Sequence, residues 1–66
     1  MEVSLNGDAI ILPHSLSVHQ LLTRQGLLDK RLAIEINLEI VPRSAFETQC
    51  IQEGDQIEIV HAIGGG

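Results

Sequence analysis

A chain of 66 residues has room for one small domain, and such a domain buries only about 60% of the surface its unfolded chain exposes, so it depends on efficient packing. Nine acids against four bases give a net charge of −5, and Phe46 is the only aromatic residue; this excludes the basic surface and stacking platforms that nucleic-acid binding uses, and an acidic domain is steered instead towards basic protein surfaces. Cys50 is the only cysteine, which excludes an internal disulfide, and no apolar run reaches the length of a membrane span or opens the chain as a signal segment, so the class implied is a small cytoplasmic domain, monomeric when alone and without membrane contact.

Alternation over residues 1–5 puts Met1, Val3 and Leu5 on one face and Glu2 and Ser4 on the other, the pattern of a half-buried strand. Asn6-Gly7 is a two-residue hairpin signal because both positions tolerate positive φ. Residues 8–12 return antiparallel until Pro13 stops them. A helix opens at Ser17, its N-cap; Gln20 completes a capping box, and Leu16 and Leu21 stand at the positions of a hydrophobic staple. Val18, Leu21 and Leu22 form the apolar stripe. Gly26 is placed for a left-handed C-cap and Leu27 for the contact that accompanies it. A helix of about two to three turns is not stable alone and has to lie on a sheet. Residues 32–37 alternate again, with Leu32, Ile34 and Ile36 inward and Ala33, Glu35 and Asn37 outward. Residues 37–39 read as a turn, Ile40-Val41 as a short strand ended by Pro42, and residues 44–47 as one helical turn that points Phe46 into the core. Glu53-Gly54-Asp55 is a turn that launches a last strand, 56–63.

The order is strand, strand, helix, strand, short strand, strand. With one main helix available, the simplest packing lays it across one face of a mixed sheet of four to five strands, an α+β arrangement. The right-handed crossover rule makes the first and last strands parallel neighbours in the centre. This is the β-grasp (ubiquitin-like) topology, with a domain over 1–63 and a flexible tail over 64–66. The second sheet face is left uncovered and available to partners.

Chemistry is hard to place inside this domain. His14, His19 and His61 fall on a loop, a helix face and the last strand, with no metal-ligand spacing. Cys50 lies in a loop, as a small hydrophobe or a surface thiol, with no evident His-Asp pair to activate it. The acids are dispersed, and the glycine run opens no helix that could cradle a phosphate. The expectation is a protein that is not an enzyme and binds neither metal nor cofactor. What remains is the sequence end, a strong strand running into Gly64, Gly65 and Gly66. A carboxylate becomes an acyl donor only after activation, typically as an acyl-adenylate made from ATP with Mg²⁺, and a partner has to supply that site and keep water out of it. Glycines fit a tight passage that side chains would block.

The ending Gly-Asp-Gln-Ile-Glu-Ile-Val-His-Ala-Ile-Gly-Gly-Gly over 54–66 resembles that of the ThiS family, the sulfur carriers of thiamine biosynthesis. So do the first strand with Asn6-Gly7, the segment Ala33-Ile34-Glu35-Ile36-Asn37, and Ile40-Val41-Pro42-Arg43; the similarity runs the length of the chain. Leu38 departs from the pattern, since members often have glycine after the asparagine. The resemblance implies that an E1-like enzyme, ThiF, adenylates the carboxylate of Gly66 using ATP and Mg²⁺. Sulfur from a cysteine desulfurase route then makes a C-terminal thiocarboxylate (1-thioglycine), and thiazole synthase, ThiG, takes up the sulfur for the thiazole. Gly66 would carry the reactive group, with Gly64 and Gly65 as the slim approach. Glu58, Val60 and Ala62 on the uncovered face and Ile63 at the tail base would contact partners. Core packing is the alternative for Val60 and Ile63, because a one-residue register slip exchanges the faces. Three other functions stay open: the small subunit of molybdopterin synthase, a sulfur carrier for the molybdenum cofactor that also ends in Gly-Gly; a ubiquitin-like binding module whose tail does no chemistry; and a protein modifier joined to lysines by the same activation chemistry.

Overall fold

The computed structural model describes residues 1–61. The expectations that concern Ala62, Ile63, Gly64, Gly65 and Gly66 therefore lie outside the described residues. Five strands, one α-helix and one 3₁₀ turn follow in the order β1 (Glu2–Leu5), β2 (Asp8–Ile11), α1 (Val18–Arg24), β3 (Leu32–Ile36), β4 (Glu39–Val41), a 3₁₀ turn (Arg43–Ala45) and β5 (Gln56–His61). The strands form one mixed sheet in the order β2-β1-β5-β3-β4. β5 runs parallel to β1 and antiparallel to β3, so the last strand of the chain is the central one. The β-grasp arrangement expected from the element order is the one observed.

Local chemistry explains where each element begins and ends. Asn6 and Gly7 adopt φ of 51° and 88°, the paired positive values that match the twist of a two-residue hairpin. The β1–β2 register runs from Leu5↔Asp8 to Glu2↔Ile11, and Leu12, just past the strand, is buried. At the start of α1, the Gln20 N–H donates to Ser17 Oγ (3.1 Å) and the Ser17 N–H donates to Gln20 Oε1 (2.9 Å), a complete capping box. The C-terminus closes as a Schellman motif: the N–H of Leu27 donates to the carbonyl of Leu22 (2.8 Å) and that of Gly26 to Thr23 (3.1 Å), with Gly26 at φ 70°.

The helical turn expected over 44–47 is a 3₁₀ turn at Arg43–Ala45 with Phe46 buried, and the stretch around Cys50 is more than the loop expected there. Residues 46–51 strap the start of the helix to the body of the domain. The Val18 N–H donates to the Gln49 carbonyl (3.0 Å), the His19 N–H to Phe46 (2.8 Å) and the Ile51 N–H to Leu16 (2.7 Å). Ser15 Oγ donates to the Ile51 carbonyl at 2.7 Å. The strap and the capping box together give an acceptor to each of the four N–H groups that a helix start leaves without an intrahelical partner. Ile51 is fully buried, a core position that carried no sequence signal. Asn37 is a turn residue at φ 52°, as the turn read over 37–39 expects, and β3 stops at Ile36; Glu39, read as the end of that turn, instead opens β4.

The core joins both layers. Val18, Leu21 and Leu22 from the helix pack in one cluster with Val3, Ile34, Ile36, Ile57 and Ile59 from the sheet, completed by Leu12, Leu16, Val41, Phe46 and Ile51. The guanidinium of Arg43 lies 5.6 Å from the centre of the Phe46 ring, a cation–π arrangement that covers the aromatic edge of the core. Among the described residues no helix is long and apolar enough to cross a membrane.

Candidate functional site

Strand alternation decides which side chains face away from the helix. On β5, Ile57 and Ile59 are buried while Gln56, Glu58 and Val60 are exposed. On β3, Ile34 and Ile36 point to the core and Ala33 and Glu35 to the open side. The register sets Val60 beside Ala33 and Glu58 beside Glu35, and on the other side of β3 it sets Ile40 beside Glu35. The open face thus carries an apolar pair at the end where β5 finishes and an acidic pair two residues behind it. Val60 is 62% exposed and Ile40 71% exposed, so Val60 is not a core residue and the packing alternative for it is removed. Glu58 is exposed on the same face. Ala62 and Ile63 lie outside the described residues.

Two features of this face are unfavourable to the isolated domain. Large apolar side chains stand in water at Val60 and Ile40, and like charges sit directly opposite one another at Glu35 and Glu58, a pairing that destabilises a sheet. A sheet selected for stability alone would exchange such residues for polar or oppositely charged ones. A partner presenting apolar groups and basic side chains would relieve both features.

The polar residues elsewhere do not converge. His14 lies before the helix, with Nδ1 2.9 Å from the Ser15 carbonyl; His19 is on α1 and His61 ends β5. Among the described residues no group of three or more His, Cys, Asp and Glu side chains is arranged to hold a metal ion. Cys50 is exposed, a surface thiol and not a packed one. A shallow hollow of about 290 Å³ beside β4 is lined in part by Asn37, Glu39, Cys50 and Asp55. The Asp55 carboxylate there is already engaged, accepting from Asn37 Nδ2 (3.1 Å) and from the Gln52 N–H (2.8 Å).

The side chains of Asn6 and Asn37 have roles that the hairpin reading missed. Asn37 Oδ1 accepts from the Gln56 N–H at 3.0 Å, at the start of β5. Asn6 Oδ1 accepts from the Ile59 N–H at 2.7 Å, further along the same strand. Each asparagine makes its own turn and also grips the last strand.

Comparison with known proteins adds a consistent context. The family model described as ThiS family matches residues 3–66. The sulfur carrier protein ThiS of Escherichia coli is 33% identical over 66 residues, spanning the whole of both chains. Thiazole synthases of Paramagnetospirillum magneticum and Magnetococcus marinus are 39% and 36% identical over the same length, and this chain spans 20% of each of them. A crystal structure of the thiamine biosynthesis protein ThiS from Geobacter metallireducens superposes with a TM-score of 0.87 at 29% identity, covering the whole of both chains.

Proposed function

Because the chain belongs to the ThiS family, we propose that it is a sulfur carrier of thiamine biosynthesis that acts through the carboxylate of Gly66. The observation that supports this reading best is the end-to-end likeness to a sulfur carrier on one side and the partial likeness to thiazole synthases on the other. A carboxylate oxygen of Gly66 attacks the α-phosphorus of ATP and pyrophosphate leaves, giving the acyl-adenylate. Sulfide, released from a desulfurase-bound persulfide by a thiol reductant that is itself oxidised to a disulfide, then adds to the acyl carbon and displaces AMP, which departs with that oxygen, and the thiocarboxylate remains. An E1-like adenylating enzyme of the ThiF type supplies the ATP and Mg²⁺ site, a cysteine desulfurase route supplies the sulfur, and a thiazole synthase accepts it.

The domain's own contribution is presentation. Gly64 and Gly65 give the approach no side chains, and the open face offers Val60 with Ala33 as the apolar contact and Glu58 with Glu35 as the acidic one. Ala62 and Ile63, which lie outside the described residues, belong to the proposed partner contacts as well. Charge complementarity would bring a basic partner surface to the acidic pair, and covering Val60 would remove apolar surface from water.

The test is intact-protein mass spectrometry after incubation with the adenylating enzyme, ATP, Mg²⁺ and a sulfur source. The expected product is heavier by the difference between one sulfur and one oxygen, it requires ATP, and it is lost when Gly66 is removed. A chain that gains no such mass, or gains it without Gly66, overturns the reading.

A further inference from the structure

β5 is longer than its parallel neighbour. β1 ends at Leu5, which is in register with Ile57. β5 continues to His61, and among the described residues no strand pairs with the β1 side of β5 from Ile59 onward. The Asn6 N–H still donates to the Ile57 carbonyl at 2.8 Å, so the backbone groups of Ile57, and by the two-residue period those of Ile59, point towards this side. At Ile59 the carboxamide of Asn6 takes the place of the missing strand: Oδ1 accepts from the Ile59 N–H at 2.7 Å, and Nδ2 donates, at a longer 3.4 Å, to the Ile59 carbonyl. The carboxamide is the side-chain counterpart of a peptide unit, with one acceptor and one donor facing both backbone groups of one residue.

We propose that Asn6 is a positioning residue for activation of the tail: its side chain extends the sheet ladder past the end of β1 and fixes the direction in which β5 hands the following residues to the partner. This rests on the proposed carrier function. Without the clamp, Ile59 to His61 keep only their β3 side, and the Val60 contact surface and the strand exit have to be ordered when the partner binds. That ordering penalty falls on binding and not on the chemical step.

Asn6 has two roles, and substitution separates them. Asn6→Gly keeps the positive φ of the turn and removes the clamp, while Asn6→Asp keeps the acceptor for the Ile59 N–H. Asn37→Gly is the matched control. It removes a similar side-chain bond from the other end of β5, at Gln56, far along the strand from its exit.

The experiment is ATP–pyrophosphate exchange by the ThiF-type enzyme, with the full chain as the varied substrate, together with amide hydrogen exchange of each variant alone. Loss of one such hydrogen bond predicts a KM for Asn6→Gly raised about three- to tenfold at unchanged kcat. Asn6→Asp should stay within about twofold of wild type, because it retains the shorter bond, and Asn37→Gly should keep the wild-type KM. In the wild type the Ile59 amide should exchange as slowly as the core amides, and in Asn6→Gly it should exchange faster than the rest of the sheet. A purely structural role would lower stability in both glycine variants and move neither KM. A wild-type KM in Asn6→Gly, an equal rise in Asn37→Gly, or fast exchange at Ile59 in the wild type overturns the positioning role. The amide measurement needs no partner, so a wild-type chain that supports no ATP–pyrophosphate exchange overturns the carrier function, while a fast Ile59 amide overturns the clamp itself.

Discussion

The two hairpins of this domain carry the same device with one difference, and that difference predicts a stabilising substitution. Asn6-Gly7 and Asn37-Leu38 both adopt two successive positive φ values, and Leu38 holds φ 71° where the first hairpin has glycine at 88°. A left-handed backbone brings Cβ of an L-residue close to the following carbonyl, at about 1–2 kcal/mol. Glycine avoids that term but loses more backbone entropy on folding, by roughly 0.5–1 kcal/mol. Leu38 is 82% exposed, so little packing is lost when its side chain is removed. The balance for Leu38→Gly is a gain of about 0.5–1 kcal/mol, which for a domain of this size raises Tm by about 4–7 °C.

Thermal unfolding followed by far-UV circular dichroism measures the shift. Leu38→Ala is the necessary control, because alanine keeps Cβ and the left-handed strain while removing the rest of the side chain. It should leave Tm close to the wild-type value. A lower Tm in Leu38→Gly refutes left-handed strain at this position, and so does an alanine variant that stabilises as much as glycine, since exposure of the leucine and not its backbone would then be the source of the effect.

Ser17→Ala removes the acceptor for the Gln20 N–H in the capping box and should destabilise by about 1 kcal/mol in urea denaturation; an unchanged midpoint would show that the strap alone secures the helix start. Ile51→Ala, at a fully buried site, should cost about 2–5 kcal/mol, enough for a chain this short to lose its cooperative transition in chemical denaturation. Glu58→Gln relieves the like-charge pair with Glu35 and should stabilise by roughly 0.2–1 kcal/mol, the gain shrinking as salt is raised, while thiocarboxylate formation with the partner enzymes falls. Val60→Thr keeps a β-branched residue on the open face and should hold stability within about 0.5 kcal/mol, yet reduce thiocarboxylate formation; a variant that is processed at the wild-type rate would remove Val60 from the contact surface.

The fold was legible because its punctuation is local. Ser17 with Gln20, Gly26 with Leu27, and Asn6 with Gly7 each identify a helix end or a hairpin within a few residues, and the alternation of Leu32, Ile34 and Ile36 needs no tertiary knowledge. What escaped the sequence depends on distant partners. Ile51 sits in a stretch with no periodicity, and it is held in the core by hydrogen bonds to Ser15 and Leu16, the two residues just before the helix cap and 36 and 35 positions earlier in the chain. The clamp by Asn6 joins residues 53 apart in the chain, and an asparagine already explained by its turn gives no second signal. Val60 was ambiguous for a related reason: Ile57, Ile59 and Val60 are all apolar, so only the observed register separates the two faces.

These separations bear on the proposed presentation of a tail by a domain this small. A strand at the sheet edge would fray from its free side, and its exit direction would vary with that fraying. β5 is instead central, held along β3 from Ile36↔Ile57 to Leu32↔His61 and on its other side by β1 and then by Asn6. The residues that secure it, Ile57 and Ile59, face the helix, while Glu58 and Val60, the proposed partner contacts, alternate with them on the open side. Because these two sets share one strand and never share a face, the open side can carry exposed apolar groups and opposed carboxylates without disturbing the packing beneath it. A substitution at Glu58 or Val60 should therefore alter partner contact with little loss of stability, and one at Ile57 or Ile59 should do the reverse by loosening the strand itself.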